Sequence, residues 1–78
     1  MPIDSILAEI SLHIEASKGA ASEAETMLWN LVHTKSETLQ DDGTRDLTYI
    51  ARNLSAAGRQ MEDYIETVGK VLSRRTKT

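Results

Sequence analysis

The chain has no cysteine and no phenylalanine, and its single proline is Pro2. Without cysteine it has no disulfide, no thiol nucleophile and no cysteine-ligated zinc site. Aromatic residues make up 4% of the chain, poor material for strands, which favour aromatic and β-branched side chains. With no proline beyond position 2, nothing of that kind interrupts a helix further along. No apolar run approaches the ~18 residues of a membrane span, so no membrane role is expected. The first residues, Met1-Pro2-Ile3-Asp4-Ser5, carry no basic region followed by an apolar stretch. With cysteine also missing, a cytoplasmic location is expected.

What remains is an all-α composition in a single helical domain, residues 1–78. Charged residues are 27% of the chain, which fits a folded protein and not a disordered one. A chain of this length buries only about 60–65% of its unfolded surface, so it needs very regular packing or a partner subunit.

Apolar or small residues recur at Ile3, Leu7, Ile10, Ile14, Ser17, Ala21, Ala24, Leu28 and Leu31, in alternating steps of four and three. The second half repeats the pattern at Leu47, Ile50, Leu54, Ala57, Met61, Tyr64, Val68 and Val71. Both are seams of period 3.5. Between them, Asp41-Asp42-Gly43 is turn chemistry, with Gly43 suited to a positive φ and Thr44 suited to N-cap the next helix. The expectation is a long antiparallel helical hairpin, about 3–40 and 45–74, with 75–78 a frayed basic tail. An alternative is a three-helix bundle with a break at 19–22, because Gly19 resembles a stop and Ser22-Glu23-Ala24-Glu25 fits a capping box. Continuity is favoured, since the seam passes through the break in register.

A turn at 42–43 makes the numbers of facing residues add to about 85, setting Leu28 against Ala57, Ala24 against Met61 and Ala21 against Tyr64. Divided there, the chain has eight acids and two bases in residues 1–42 and four acids and seven bases in 43–78. The contrast of −6 and +3 should draw the helices together. Each helix also carries a second apolar stripe: Ile6, His13, Ala20 and Met27 on the first, Ala51, Gly58, Ile65 and Leu72 on the second. Three apolar positions per heptad suit a helix with two neighbours. A homodimer closing into a four-helix bundle is therefore expected, with Ile6, Met27, Ala51, Ile65 and Leu72 in self-association.

Chemistry-bearing motifs are sparse. Glu9–His13 and His33–Glu37 have i,i+4 spacing, but the histidines stand about 30 Å apart along one helix, so no metal site and no cofactor are expected. No nucleophile elbow, phosphate loop or calcium loop occurs, and no two carboxylates share a cleft; the chain is not expected to be an enzyme or to bind a small-molecule substrate. Trp29 with Val32, and Tyr49, are off-seam apolar residues suited to a protein partner. Arg45, Arg52 and Arg59 recur every seven residues as a basic row on the second helix.

The pattern resembles small helical-hairpin dimers in general, at the level of architecture only, with no shared motif. The expected function is a non-catalytic protein–protein interaction module, a small acidic adaptor or inhibitor of bacterial or phage type. The alternative is a dimeric nucleic-acid-binding regulator that uses the Arg45–Arg52–Arg59 row.

Overall fold

The computed structural model describes residues 2–76, and for Ser36 and Thr76 the backbone alone. The described chain is a hairpin of two helices, α1 (Ile3–Thr34) and α2 (Ser36–Thr76). No described helix is long and apolar enough to cross a membrane.

Pro2 opens α1 in extended backbone, and its carbonyl accepts from the amides of Ser5 and Ile6 at 3.1 and 3.3 Å. Asp4 lies in the first turn, where the helix dipole favours an acid. The helix runs unbroken through Gly19, so the three-helix alternative falls. A Cβ on Gly19 would meet no atom within 4 Å, which places it on the open side of the helix.

The reversal comes earlier than expected. α1 ends at Thr34, not near residue 40, and Lys35 leaves the helical region at φ −125°, ψ 26°. Past Val32 the next position of the inter-helix rows is Lys35, where the helix ends. Thr34 also turns its hydroxyl back to the Asn30 carbonyl at 2.7 Å. One helical turn follows. Then Gln40, at φ 62° and ψ 175°, redirects the chain into the long arm of α2.

The positive φ thus falls on Gln40 and not on Gly43, which is helical along with Thr44. Gly43 serves packing instead. A Cβ there would stand 3.3 Å from the Cβ of Leu39 across the bend. Asp41 and Asp42 begin the long arm, where acids oppose the positive end of the helix. At the far end α2 takes in Arg75 and Thr76 of the expected frayed tail, while Lys77 and Thr78 lie outside the described residues.

Two cross-helix ion pairs fix the register: Lys18 Nζ to Glu62 Oε1 at 3.2 Å, and Arg75 Nε to Asp4 Oδ1 at 2.6 Å. The residue numbers in these pairs add to 80 and 79, which is what a reversal centred on Gln40 requires, and not to 85. Ala21 is therefore level with Gly58, and Leu28 with Ala51. The charge contrast shrinks with the corrected boundary. α1 has five acids and one lysine, and α2 seven acids and six bases, so the helices carry −4 and −1. Net attraction does not hold them; local pairs and packing do.

The rows that meet between the helices are Leu7, Ser11, Ile14, Lys18, Ala21, Glu25, Leu28 and Val32 on α1, and Leu47, Ala51, Leu54, Gly58, Met61, Ile65, Val68 and Leu72 on α2, all at least half-buried. Both keep the four–three alternation, but only every second member belongs to the expected seam. Ile3, Ile10, Ser17 and Leu31 are exposed, as are Ile50 and Tyr64, while Ala24, Ala57 and Val71 are half-buried. Among the described residues only Val32 and Ala51 are buried, at 8% and 0% exposure. The hairpin measures 59 × 17 × 14 Å and has one layer, with no enclosed core.

Candidate functional site

Adjacent rows of a heptad lie about 50° apart around a helix axis. The apolar stripe of each helix is therefore turned by about 50° from the direction of the other helix. Both turn toward the same side, since Leu31 shares a groove with Ile50, and Ile10 another with Tyr64. One broad side of the hairpin is consequently apolar along its length.

Two shallow grooves mark that side. The larger, about 500 Å³, lies toward the turn and is lined by Ala24, Met27, Leu28, Leu31, Ile50 and Leu54. The smaller, about 270 Å³, lies toward the open end and is lined by Ile10, His13, Ile14, Ser17, Met61 and Tyr64. Neither groove has a carboxylate in its lining, and the polar side chains of the smaller one are His13, Ser17 and Tyr64. Among the described residues no three His, Cys, Asp or Glu side chains come together as a metal ion would need. His13 Nε2 stands 3.8 Å from Glu9 Oε1 with both side chains exposed, while His33 stacks on Trp29.

The opposite side carries polar rows, with the Lys18–Glu62 pair in the middle. Trp29 lies there, half-buried. Its indole N–H donates to Glu25 Oε2 at 3.1 Å, and its ring stacks on His33 with centroids 6.0 Å apart. The expected Trp29–Val32 surface patch does not form, because Val32 is buried between the helices. It sits on the row next to Leu28 on the side that α2 covers.

Of the residues expected in self-association, Ile6 and Met27 are exposed, at 40% and 67%, on the apolar side. Ala51 is fully buried, and Ile65 and Leu72 are half-buried on the rows that face α1. On α2 the exposed apolar residues of this side are Ile50 and Tyr64, both expected in the inner seam. A signal for this was present. Ala51 and Gly58 are the small pair that lets two helices approach closely, and that marks their row as the inter-helix one.

The outer edge of α2 carries Tyr49, 67% exposed, one turn from Arg45 and Arg52. The arginine row is unevenly engaged. Arg45 reaches Asp42 at 3.9 Å and Asp46 at 3.6 Å, and Arg59 donates to Ser55 Oγ at 3.2 Å. Arg52 has no ion-pair partner among the described residues. No protein-family model, curated protein or solved structure matches the chain.

Proposed function

We propose that this protein is a non-catalytic interaction module that works as a homodimer. Two hairpins close their apolar sides on each other into a four-helix bundle and present fixed outer edges to a protein partner. The observation that carries this reading is the rotation of the two apolar stripes. In an isolated pair each stripe would point at the other helix. In a square four-helix bundle it points at the central axis, about 45° away from each neighbour. The rotation here, about 50° on both helices and toward one side, matches the second arrangement.

Area supports the same reading. The chain exposes 5922 Å². A compact monomer of 8.6 kDa exposes about 4,700 Å², so the excess is roughly 1,200 Å². A standard interface hides about 800 Å² per partner. A second copy is the fitting occupant because both helices leave the same half of the heptad seam open. Two such faces related by a twofold axis supply each other's missing rows.

With the apolar sides closed, the edge bearing Tyr49, Arg45, Arg52 and Arg59 stays outward. Tyrosine and arginine are frequent interface anchors, and the uncommitted Arg52 suits an acidic protein surface. The nucleic-acid alternative has less support, since Arg45 is engaged with two aspartates and two guanidinia per hairpin, Arg52 and Arg59, offer few phosphate contacts. The reading is tested with the tagged protein as bait, against Tyr49→Ala and Arg52→Glu at equal dimer content. A nuclease-resistant protein partner lost from both variants supports it. A partner retained by both, or nucleic acid recovered in its place, overturns the edge assignment.

A further inference from the structure

We infer that the reversal between α1 and α2 is a hinge that opens at high protein concentration, so that two copies exchange helices. α1 of each chain then leaves its own α2 and packs on α2 of the other. The inference goes beyond the closure of apolar sides proposed above and does not rest on it. The surface that is exchanged is the row from Leu47 to Leu72 on α2, and its occupant is the row from Leu7 to Val32 of a second copy. The seating of that occupant is the one seen within a single chain, because the same residues meet in the same register.

Strain sits in the hinge. Gln40, at φ 62° and ψ 175°, holds backbone that a side chain avoids, and the closed reversal requires it to do so. Opening releases both chains from that conformation, and short hinges under strain favour exchange of identical elements. The hinge is also largely prepared. Residues 36–39 are already helical, and the Leu39 amide donates to the Lys35 carbonyl at 3.0 Å. Lys35 and Gln40, one on each side of that turn, are the residues that leave the helical region there. Finally, the described chain has two elements and one contact between them. What opening breaks is therefore remade between chains, including the Lys18–Glu62 and Asp4–Arg75 pairs. Against this stands the lost freedom of a second molecule, which makes exchange depend on concentration. Because the whole contact must break first, an exchanged pair formed on refolding persists after dilution.

The experiment uses the full chain with Ala21→Cys and Gly58→Cys. It is unfolded in urea with reductant, refolded at low micromolar or near-millimolar concentration, then diluted, oxidised and run on a non-reducing denaturing gel. Refolding at low concentration should give one chain closed by its own disulfide. Refolding at high concentration should add a two-chain product in which peptide mapping joins position 21 to position 58. Gln40→Gly on this background should lower the two-chain product at least fivefold, because the closed reversal is then unstrained. Ile10→Glu with Leu31→Glu should leave it unchanged, since both residues are exposed outside the exchanged contact. The cysteine-free chain refolded at high concentration should likewise hold twice its mass after dilution. A one-chain product alone at both concentrations, a two-chain yield indifferent to Gln40→Gly, or a cysteine-free chain that returns to single mass on dilution overturns the exchange. A two-chain product lost in Ile10→Glu with Leu31→Glu also overturns it, and leaves the closure of apolar sides standing.

Discussion

Leu39 and Gly43 meet across the bend so closely that a Cβ on the glycine would lie 3.3 Å from the leucine Cβ. The contact is to an atom next to the backbone, which cannot swing away. Gly19 has open space around the same position. Both glycines are helical, and alanine gains up to about 1 kcal/mol over glycine in a helix. Gly19→Ala should therefore stabilise the protein by roughly 0.5–1 kcal/mol. Gly43→Ala should gain clearly less, or lose stability. Urea unfolding at one fixed protein concentration ranks the two, and the reverse order contradicts the packing described for the bend.

Gln40 carries the only positive φ among the described residues. Its pairing of φ 62° with ψ 175° belongs to a region that side chains avoid, at a cost of order 1–3 kcal/mol. Gln40→Gly should raise stability by about 1 kcal/mol, the remainder being offset by the glycine's freedom in the unfolded chain. A substitution that lowers the unfolding midpoint would place the reversal elsewhere.

The register gives a cross-linking prediction, made clean by the absence of native cysteine. Residues 21 and 58 are level, and both are small. The double variant Ala21→Cys, Gly58→Cys should oxidise to an intramolecular disulfide, seen as a faster-migrating band on a non-reducing gel. Ala21→Cys with Tyr64→Cys, the pair level under a reversal at 42–43, should not. Helical rise separates positions 58 and 64 by about 9 Å, beyond what a disulfide spans.

Adjacent residues on α2 should respond differently to substitution. Ala51 has no exposed surface, so Ala51→Leu overpacks the inter-helix contact and should cost about 1–3 kcal/mol. Ile50, one residue away, is 45% exposed on the apolar side. Ile50→Glu should leave the helical signal in place and weaken self-association at least tenfold. Loss of helix in the second variant would mean that Ile50 belongs to the hairpin's own contact.

Much of this fold was legible in the residues. The four–three spacing from Ile3 to Leu31 marks one long helix through Gly19, and the spacing from Leu47 to Val71 marks the other. Two features were not legible, each for a physical reason. Asp42-Gly43 has turn chemistry, but an acid followed by glycine also suits a helix start, and close packing against Leu39 decides between them. The apolar arc of each helix is wide enough to receive a neighbour on either side of the Leu7–Ile14–Ala21–Leu28 row, so spacing alone does not say which side α2 covers. That ambiguity moved Val32 and Ala51 from the surface to the interior and Ile50 and Tyr64 the other way. At the candidate site, the exposure of Tyr49 and the arginine row could be read from spacing. The engagement of Trp29 with Glu25 and His33 needed the rotamers.

The homodimer is tested by molar mass in solution across a wide concentration range at neutral pH, for the unaltered chain and for Ile10→Glu with Leu31→Glu. The hairpin closed on a second copy has twice the 8.6 kDa of one chain, and the double variant has the mass of a single chain with its helices intact. A mass of 8.6 kDa for the unaltered chain at every concentration would contradict a homodimer closed on its apolar sides, and so would a doubled mass that the two substitutions leave unchanged.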